Sequence, residues 1–145
     1  MLNILGGILL QKNTVLILVI IAIGLGVFVS IFWLFAGSFF ISGIIAGIME
    51  TFTEEEIPLT FANLMPGFII VTIQSIITII ALTLATMKAM PSRLHSNLKK
   101  NGIWILMLGF TILVVNPVLF ISSILLITGG SIALKNADNN NINTT

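Results

Sequence analysis

From Thr14 to Met49 the chain reads TVLILVIIAIGLGVFVSIFWLFAGSFFISGIIAGIM, without one ionisable residue. A helix needs only ~20 apolar residues at ~1.5 Å each to cross a hydrocarbon core of ~30 Å. A soluble domain would have to bury such a segment on every side, and the rest of the chain has little with which to do so. Only 8% of its 145 residues are charged, against ~25% in soluble domains, and the mean hydropathy is +1.18. The sequence reads as an integral membrane protein. Backbone groups inside lipid must satisfy one another, so the apolar blocks are predicted to be helices; a β-barrel would need a polar–apolar alternation that is missing.

The charges fall in clusters that divide the chain: Lys12; Glu50 with Glu54, Glu55 and Glu56; Lys88, Arg93, Lys99 and Lys100 with His95; then Lys135 and Asp138. Between them the pattern predicts four spans, at about 14–37, 66–87, 97–115 and 118–134. As one helix the first block would be ~54 Å long, well beyond the bilayer core. The span is therefore read as stopping near residue 37, with residues 38–65 forming an interfacial or extended outer segment. Asn13 or Thr14 suits an N-cap, and Pro66 suits the first turn of a helix, where its missing N–H costs nothing. The pair Asn116-Pro117 reads as a tight hairpin tip, since proline ends helices and asparagine tolerates turns. The third block is short, so its helix is predicted to start within SRLHSNLKK, with Leu94 and Leu98 facing lipid and the basic side chains snorkelling. Trp33 and Trp104 fall where interfacial aromatics sit. Residues 136–145, rich in asparagine, read as a disordered polar tail.

Four spans put Lys12, the 88–100 loop and Lys135 on one side and the glutamates on the other. All six basic residues then share a face, which the positive-inside rule makes cytoplasmic. The prediction is an all-α membrane protein: a four-transmembrane-helix bundle in a bacterial plasma membrane, both termini cytoplasmic. The N-terminus lacks a basic residue before its apolar stretch and a small-x-small cleavage site, so the first span is expected to be retained.

Candidate sites are few. Neighbouring residues of a helix point ~100° apart, so Glu54, Glu55 and Glu56 do not converge on one ion. Glu50 and Glu54 share a face at i, i+4. The four glutamates are read as a solvated outer loop, with contact to a cation or a basic partner as the sharper alternative. Within the second span, Gln74 and Thr78 share one face and Ser75 lies near another. Such groups usually hydrogen-bond a neighbouring helix, and otherwise line a polar path. Gly43 with Gly47, and Gly129 with Gly130, are candidate helix-packing positions, as is Ala22 with Gly26. Lys88, Arg93, Lys99 and Lys100 suit contact with an anionic inner leaflet as well as topology marking. His95 has no second ligand at metal-binding spacing. The chain has no cysteine, which removes disulfides and thiolate metal sites. No phosphate-binding, hydrolase, metalloprotease or dinucleotide motif is present, so no cofactor, metal or catalytic group is assigned. The net charge of +1 gives no reason to expect nucleic acid.

Two stretches carry a resemblance. NGIWILMLGFTILVVNPVLFISSILLITGGSIALKN, with Gly102, Gly109, Asn116-Pro117, Gly129-Gly130 and Lys135, resembles the closing hairpin of a family of small four-span membrane proteins of Gram-positive bacteria, a family of unknown function. NILGGIL near the start is similar to that family's opening. The resemblance implies a four-span fold and no activity. The expected partners are the lipid bilayer and another membrane protein, or a second copy of the chain. The leading expectation is a non-enzymatic accessory, regulatory or immunity-type protein. The alternatives are a homo-oligomeric pore, holin or small transporter with the Gln74/Thr78 face lining the path, and, less favoured, an intramembrane enzyme acting on lipid.

Overall fold

The computed structural model describes residues 2–53, 58 and 60–142, with side chains left out for residues 2–12, 61, 62, 95 and 140–142. Among the described residues five α-helices follow one another: α1 (Leu2–Thr53), α2 (Phe61–Ala89), α3 (Pro91–Ser96), α4 (Leu98–Val115) and α5 (Phe120–Ile142), with a 3-10 turn at Pro117–Leu119 before α5. No strand occurs among them. Four segments are long and apolar enough to cross a membrane: Asn13–Thr53, Asn63–Ala89, Leu98–Val115 and Pro117–Asn139. By length and composition these four suit a multi-pass membrane protein.

Its four long helices close a ring in the order α1, α2, α4, α5, each packing on its two neighbours. The contacts at the glycines fix the registers. A Cβ placed on Gly26 of α1 would meet Leu82 of α2, and one on Gly67 of α2 would meet Ser38 and Ser42 of α1. Numbers rise on one helix as they fall on the other, so the pair is antiparallel. Gly102 lies against Ala133 and Gly109 against Ile127, which makes α4 and α5 antiparallel too. The Asn116-Pro117 pair turns the chain as predicted: α4 ends at Val115, and Leu119 N–H donates to the Asn116 carbonyl at 3.0 Å.

Each helix turns one stripe inward at spacings of three and four residues. On α1 the stripe runs Val15, Val19, Ala22, Ser30; on α2 it runs Val71, Ser75, Thr78, Leu82, Ala85, Ala89. Ile105, Leu108 and Ile112 of α4 share the same core with Leu119 of the 3-10 turn and Leu126 and Ala133 of α5. The outer faces are apolar as well, from Phe28 and Phe32 to Ile76 and Ile80, as a helix surrounded by lipid requires.

Several sequence expectations are corrected. The first span does not stop near residue 37; α1 continues to Thr53, and the segment 38–53 is helical. No proline interrupts it, and hydroxyls that would compete for backbone groups bond back to the helix instead, Ser38 to the Leu34 carbonyl (2.5 Å) and Thr51 to that of Gly47 (2.9 Å). Ser42 donates across to the Leu64 carbonyl of α2 at 3.0 Å, tying the extension to its neighbour. Pro66 is inside α2 rather than in its first turn, because the helix starts earlier, at Phe61. Asn63 and Leu64 N–H both donate to the Thr60 carbonyl there, and the Asn63 side chain donates to the Pro58 carbonyl at 2.7 Å. The loop 88–100 is mostly helical. Leu94 faces the core, not lipid, at 2% exposure, and Leu98 packs against that core. The Asn101 amide donates to the Arg93 carbonyl at 2.6 Å and so holds α3 across the end of the bundle. The tail expected to be disordered continues α5 as far as Ile142, since Asn136 and Ala137 extend the inward stripe and are buried. Residues 143–145 lie outside the described residues.

At Gly130 the approach is to main chain, a Cβ there standing 2.7 Å from the Leu106 backbone nitrogen and 2.9 Å from the Gly102 carbonyl oxygen. Backbone cannot move aside as a side chain can. Gly130→Val should therefore lose about 1–3 kcal/mol of stability, seen as a lower melting temperature in detergent. Gly43→Val, whose Cβ meets nothing within 4 Å, should melt with the unmodified protein.

Candidate functional site

The two ends of the bundle differ in charge. At the end where α2 meets α3 and α4, the Lys88 ammonium sits 5.7 Å from the centre of the Trp104 ring. Nearby Lys99 approaches Asp138 of α5 at 3.7 Å, both side chains being mostly exposed; such a pair contributes little, roughly 0–1 kcal/mol. Arg93, Lys100 and Lys135 are exposed at the same end. At the far end of α1 stands Glu50, partly buried. Glu54, Glu55 and Glu56 lie outside the described residues, as does the side chain of His95. Among the described residues no group of three or more His, Cys, Asp or Glu side chains could hold a metal ion.

The predicted packing glycines behave differently from one another. Gly130 is at a backbone crossing with α4, and Gly129 faces Val15 and Leu18 of α1 at ordinary contact distances. At Gly43 and Gly47 an added Cβ would find nothing within 4 Å, so these two leave an open stripe on α1. Sequence reasoning does not single out Gly67, and it uses Gly102 only for the resemblance, yet these two make the close approaches of α2 and α4. Beside the open stripe, Leu34, Phe35 and Phe39 of α1 and Leu64, Met65 and Phe68 of α2 line an apolar groove of about 280 Å³.

Two polar residues of α2, Ser75 and Thr78, point into the bundle, whereas Thr83 is exposed. Thr78 is fully buried, and its hydroxyl donates to the Gln74 carbonyl of its own helix at 2.8 Å. Ser75 is buried too. Neither the Ser75 hydroxyl nor the Gln74 side-chain oxygen has a hydrogen-bond partner among the described residues, and the same holds for Ser30 Oγ, Trp33 Nε1, Thr72 Oγ1 and both amide atoms of Asn116. Sequence reasoning misses Ser30, Trp33 and Asn116 as members of this group. Ser30 does carry a signal, because it continues the phase of Val15, Val19, Ala22 and Gly26. Trp33, expected at the membrane interface, instead has its indole nitrogen buried, its ring lying over Gly37 of its own helix and 6.2 Å from that of Phe40.

The registers also show that the molecule is stepped. Gly26 lies opposite both Leu82 and Ser122. From that level α5 reaches back only as far as the turn at Pro117, whereas α1 runs on to Thr53, ~40 Å further along its axis. The α4–α5 hairpin therefore walls only the basic-end half of α1 and α2. Beyond it those two helices continue as a pair.

Comparison with protein-family models, with curated proteins and with solved structures found no match.

The separation of charge gives a direct test. The chain has no cysteine of its own, so single cysteines at Lys100 and at Phe52, which is 83% exposed, can be probed with an impermeant thiol reagent in sealed vesicles. The two should label from opposite sides; labelling from the same side would contradict a bundle that crosses the bilayer from one end to the other.

Proposed function

We propose that this is a non-catalytic protein of a bacterial plasma membrane, with its basic end and both termini in the cytoplasm, that works by contact with another membrane protein as an accessory, regulatory or immunity-type subunit. The observation that carries this reading is the α1–α2 extension beyond the hairpin tip. It offers exposed Phe35, Phe39, Phe40 and Ile44 beside the open stripe of Gly43 and Gly47. Association between helices in lipid depends on close packing, since lipid tails are as apolar as leucine, and small residues allow that closeness. A helical pair with an unfilled small-residue stripe is suited to receive another helix. The likeness of the closing hairpin to a family of small Gram-positive membrane proteins agrees with a bacterial source and supplies no activity. The positive-inside rule supports the orientation.

Purification in mild detergent tests the reading. The protein should bring down a reproducible membrane partner or run as a homo-oligomer, and Gly43→Leu with Gly47→Leu should reduce that association at least tenfold without lowering the melting temperature. A strictly monomeric protein with no partner would sink it.

A second reading, a homo-oligomeric pore, holin or small transporter, draws support from the unpaired polar groups around Gln74 and Ser75. Against it, the Thr78 hydroxyl is already bound within its own helix. On this reading liposomes containing the protein pass ions or dye, and Gln74→Leu removes the flux; tight liposomes rule it out.

A further inference from the structure

Three registers place the unpaired polar groups on one cross-section of the bundle. The contacts of Gly26 with Leu82, and of Ser42 with Leu64 and Gly67, put Ser30 and Trp33 of α1 level with Gln74, Ser75 and Thr78 of α2. Lys88 over Trp104 relates α2 to α4, and counting along both antiparallel helices brings Asn116 to the level of Ser75 and Thr78. Gly26 against Ser122 relates α1 to α5 and brings the 3-10 turn to the level of Ser30. Three helices bring a buried polar side chain to this layer, Ser30 of α1, Ser75 of α2 and Asn116 at the end of α4, each under a tenth exposed, while Ser122 of α5 is buried about a turn below, opposite Gly26. Below it the packed core runs through Val, Leu, Ile and Ala, and buried amides return only with Asn101 and Asn136 at the basic end.

Asn116 is the decisive member. It is 0% exposed, and its backbone is already committed, with N–H donating to the Ile112 carbonyl and C=O accepting from Leu119. Its side chain does not cap a helix. Both of its amide atoms remain without a partner among the described residues, although nearly all buried polar atoms in folded proteins have one.

We propose that this layer is an internal hydration site, in which water bound between α1, α2 and the hairpin tip bridges Asn116, Ser75, Ser30 and the Trp33 indole. The chemistry of the set selects water. Trp33 Nε1 and Asn116 Nδ2 donate only, Gln74 Oε1 and Asn116 Oδ1 accept only, and the hydroxyls of Ser30, Ser75 and Thr72 do both. A bare cation would be repelled by the two N–H donors. An anion would find no positive charge in the layer. Water donates two bonds and accepts two, and buried water is found where two to four polar partners converge. Trp104 with Lys88 is a pairing typical of the membrane interface, and Asn116 lies ~18 Å further along α4. The site is thus well inside the apolar zone, where wetting has to come from within the protein. This inference goes beyond either reading of function and depends on neither.

The two tryptophans provide the probe. In the full-length, nitrogen-15-labelled protein in nanodiscs, indole N–H signals are assigned with Trp33→Phe, and magnetisation transfer from water is measured. The Trp33 indole proton should show a direct cross-peak to water, and Asn116→Leu should weaken it at least fivefold while leaving Trp104 unchanged. Should Asn116→Leu fail to fold, Ser75→Ala removes one bridging hydroxyl at little change in volume and should weaken the peak about twofold. Absence of a Trp33 water cross-peak in the unmodified protein overturns the proposal. So does a cross-peak indifferent to both substitutions, and so does a Trp33 shift on replacing sodium and potassium by N-methylglucamine, which would make the occupant a cation.

Discussion

Backbone against backbone is the contact on which this bundle depends. In water, helices are driven together by burying apolar faces. In lipid that gain is largely lost, and association has to come from close packing and from hydrogen bonds between helices. The chain meets this requirement at its small residues. Gly130 and Gly102 bring α4 and α5 within contact of each other's main chain, Gly67 lets α2 ride against Ser38 and Ser42, and Gly26 receives Leu82. Larger residues at these points would hold the helices apart and open the core that Ile105, Leu126 and Val19 now fill.

The same demand for internal satisfaction explains why α1 is one helix. A chain leaving the helix at residue 38 would expose main-chain N–H and C=O groups along a segment of Phe, Ile and Gly, each costing several kcal/mol in hydrocarbon. Continuing the helix satisfies them all. What results is an apolar rod of ~60 Å from Asn13 to Thr53, about twice the core of a bilayer. Tilt can absorb part of that excess, and helix contacts can cover another part. The excess is concentrated beyond the hairpin tip, where α1 has only α2 beside it.

Much of this is legible in the sequence. Four helices, the turn at Asn116-Pro117 and the gathering of basic residues at one end follow from where charges and prolines fall. The errors share a cause, which is that bilayer thickness and hydropathy carry no information about neighbours. Bilayer thickness cuts α1 at residue 37, although the sequence holds no proline before Pro58. Hydropathy sends Leu94 and Leu98 to lipid, but an apolar residue in a membrane protein can face either way. Gly43 and Gly47 look like packing residues for the same reason that Gly129 and Gly130 do; only the fold distinguishes a filled crossing from an open stripe. The polar layer is half visible. Gln74, Ser75 and Thr78 stand out as polar text in an apolar span, while Asn116 reads purely as a turn residue and Trp33 as an interfacial one.

The stepped shape links the layer to the extension. The α4–α5 hairpin ends at Asn116, so its tip is the upper edge of the four-helix half and the floor of the two-helix half. A turn leaves main-chain and side-chain polar groups that a continuous helix would have satisfied, and here Ser30 and Trp33 of α1 and Ser75 of α2, at about the level of the turn, carry buried polar atoms of their own. An all-leucine surround would leave Asn116 stranded, whereas small hydroxyl residues leave both room and hydrogen-bonding capacity. Just above this edge begins the apolar groove lined by Phe35 and Phe68, and the open stripe of Gly43 and Gly47 follows ~20 Å beyond the edge along α1.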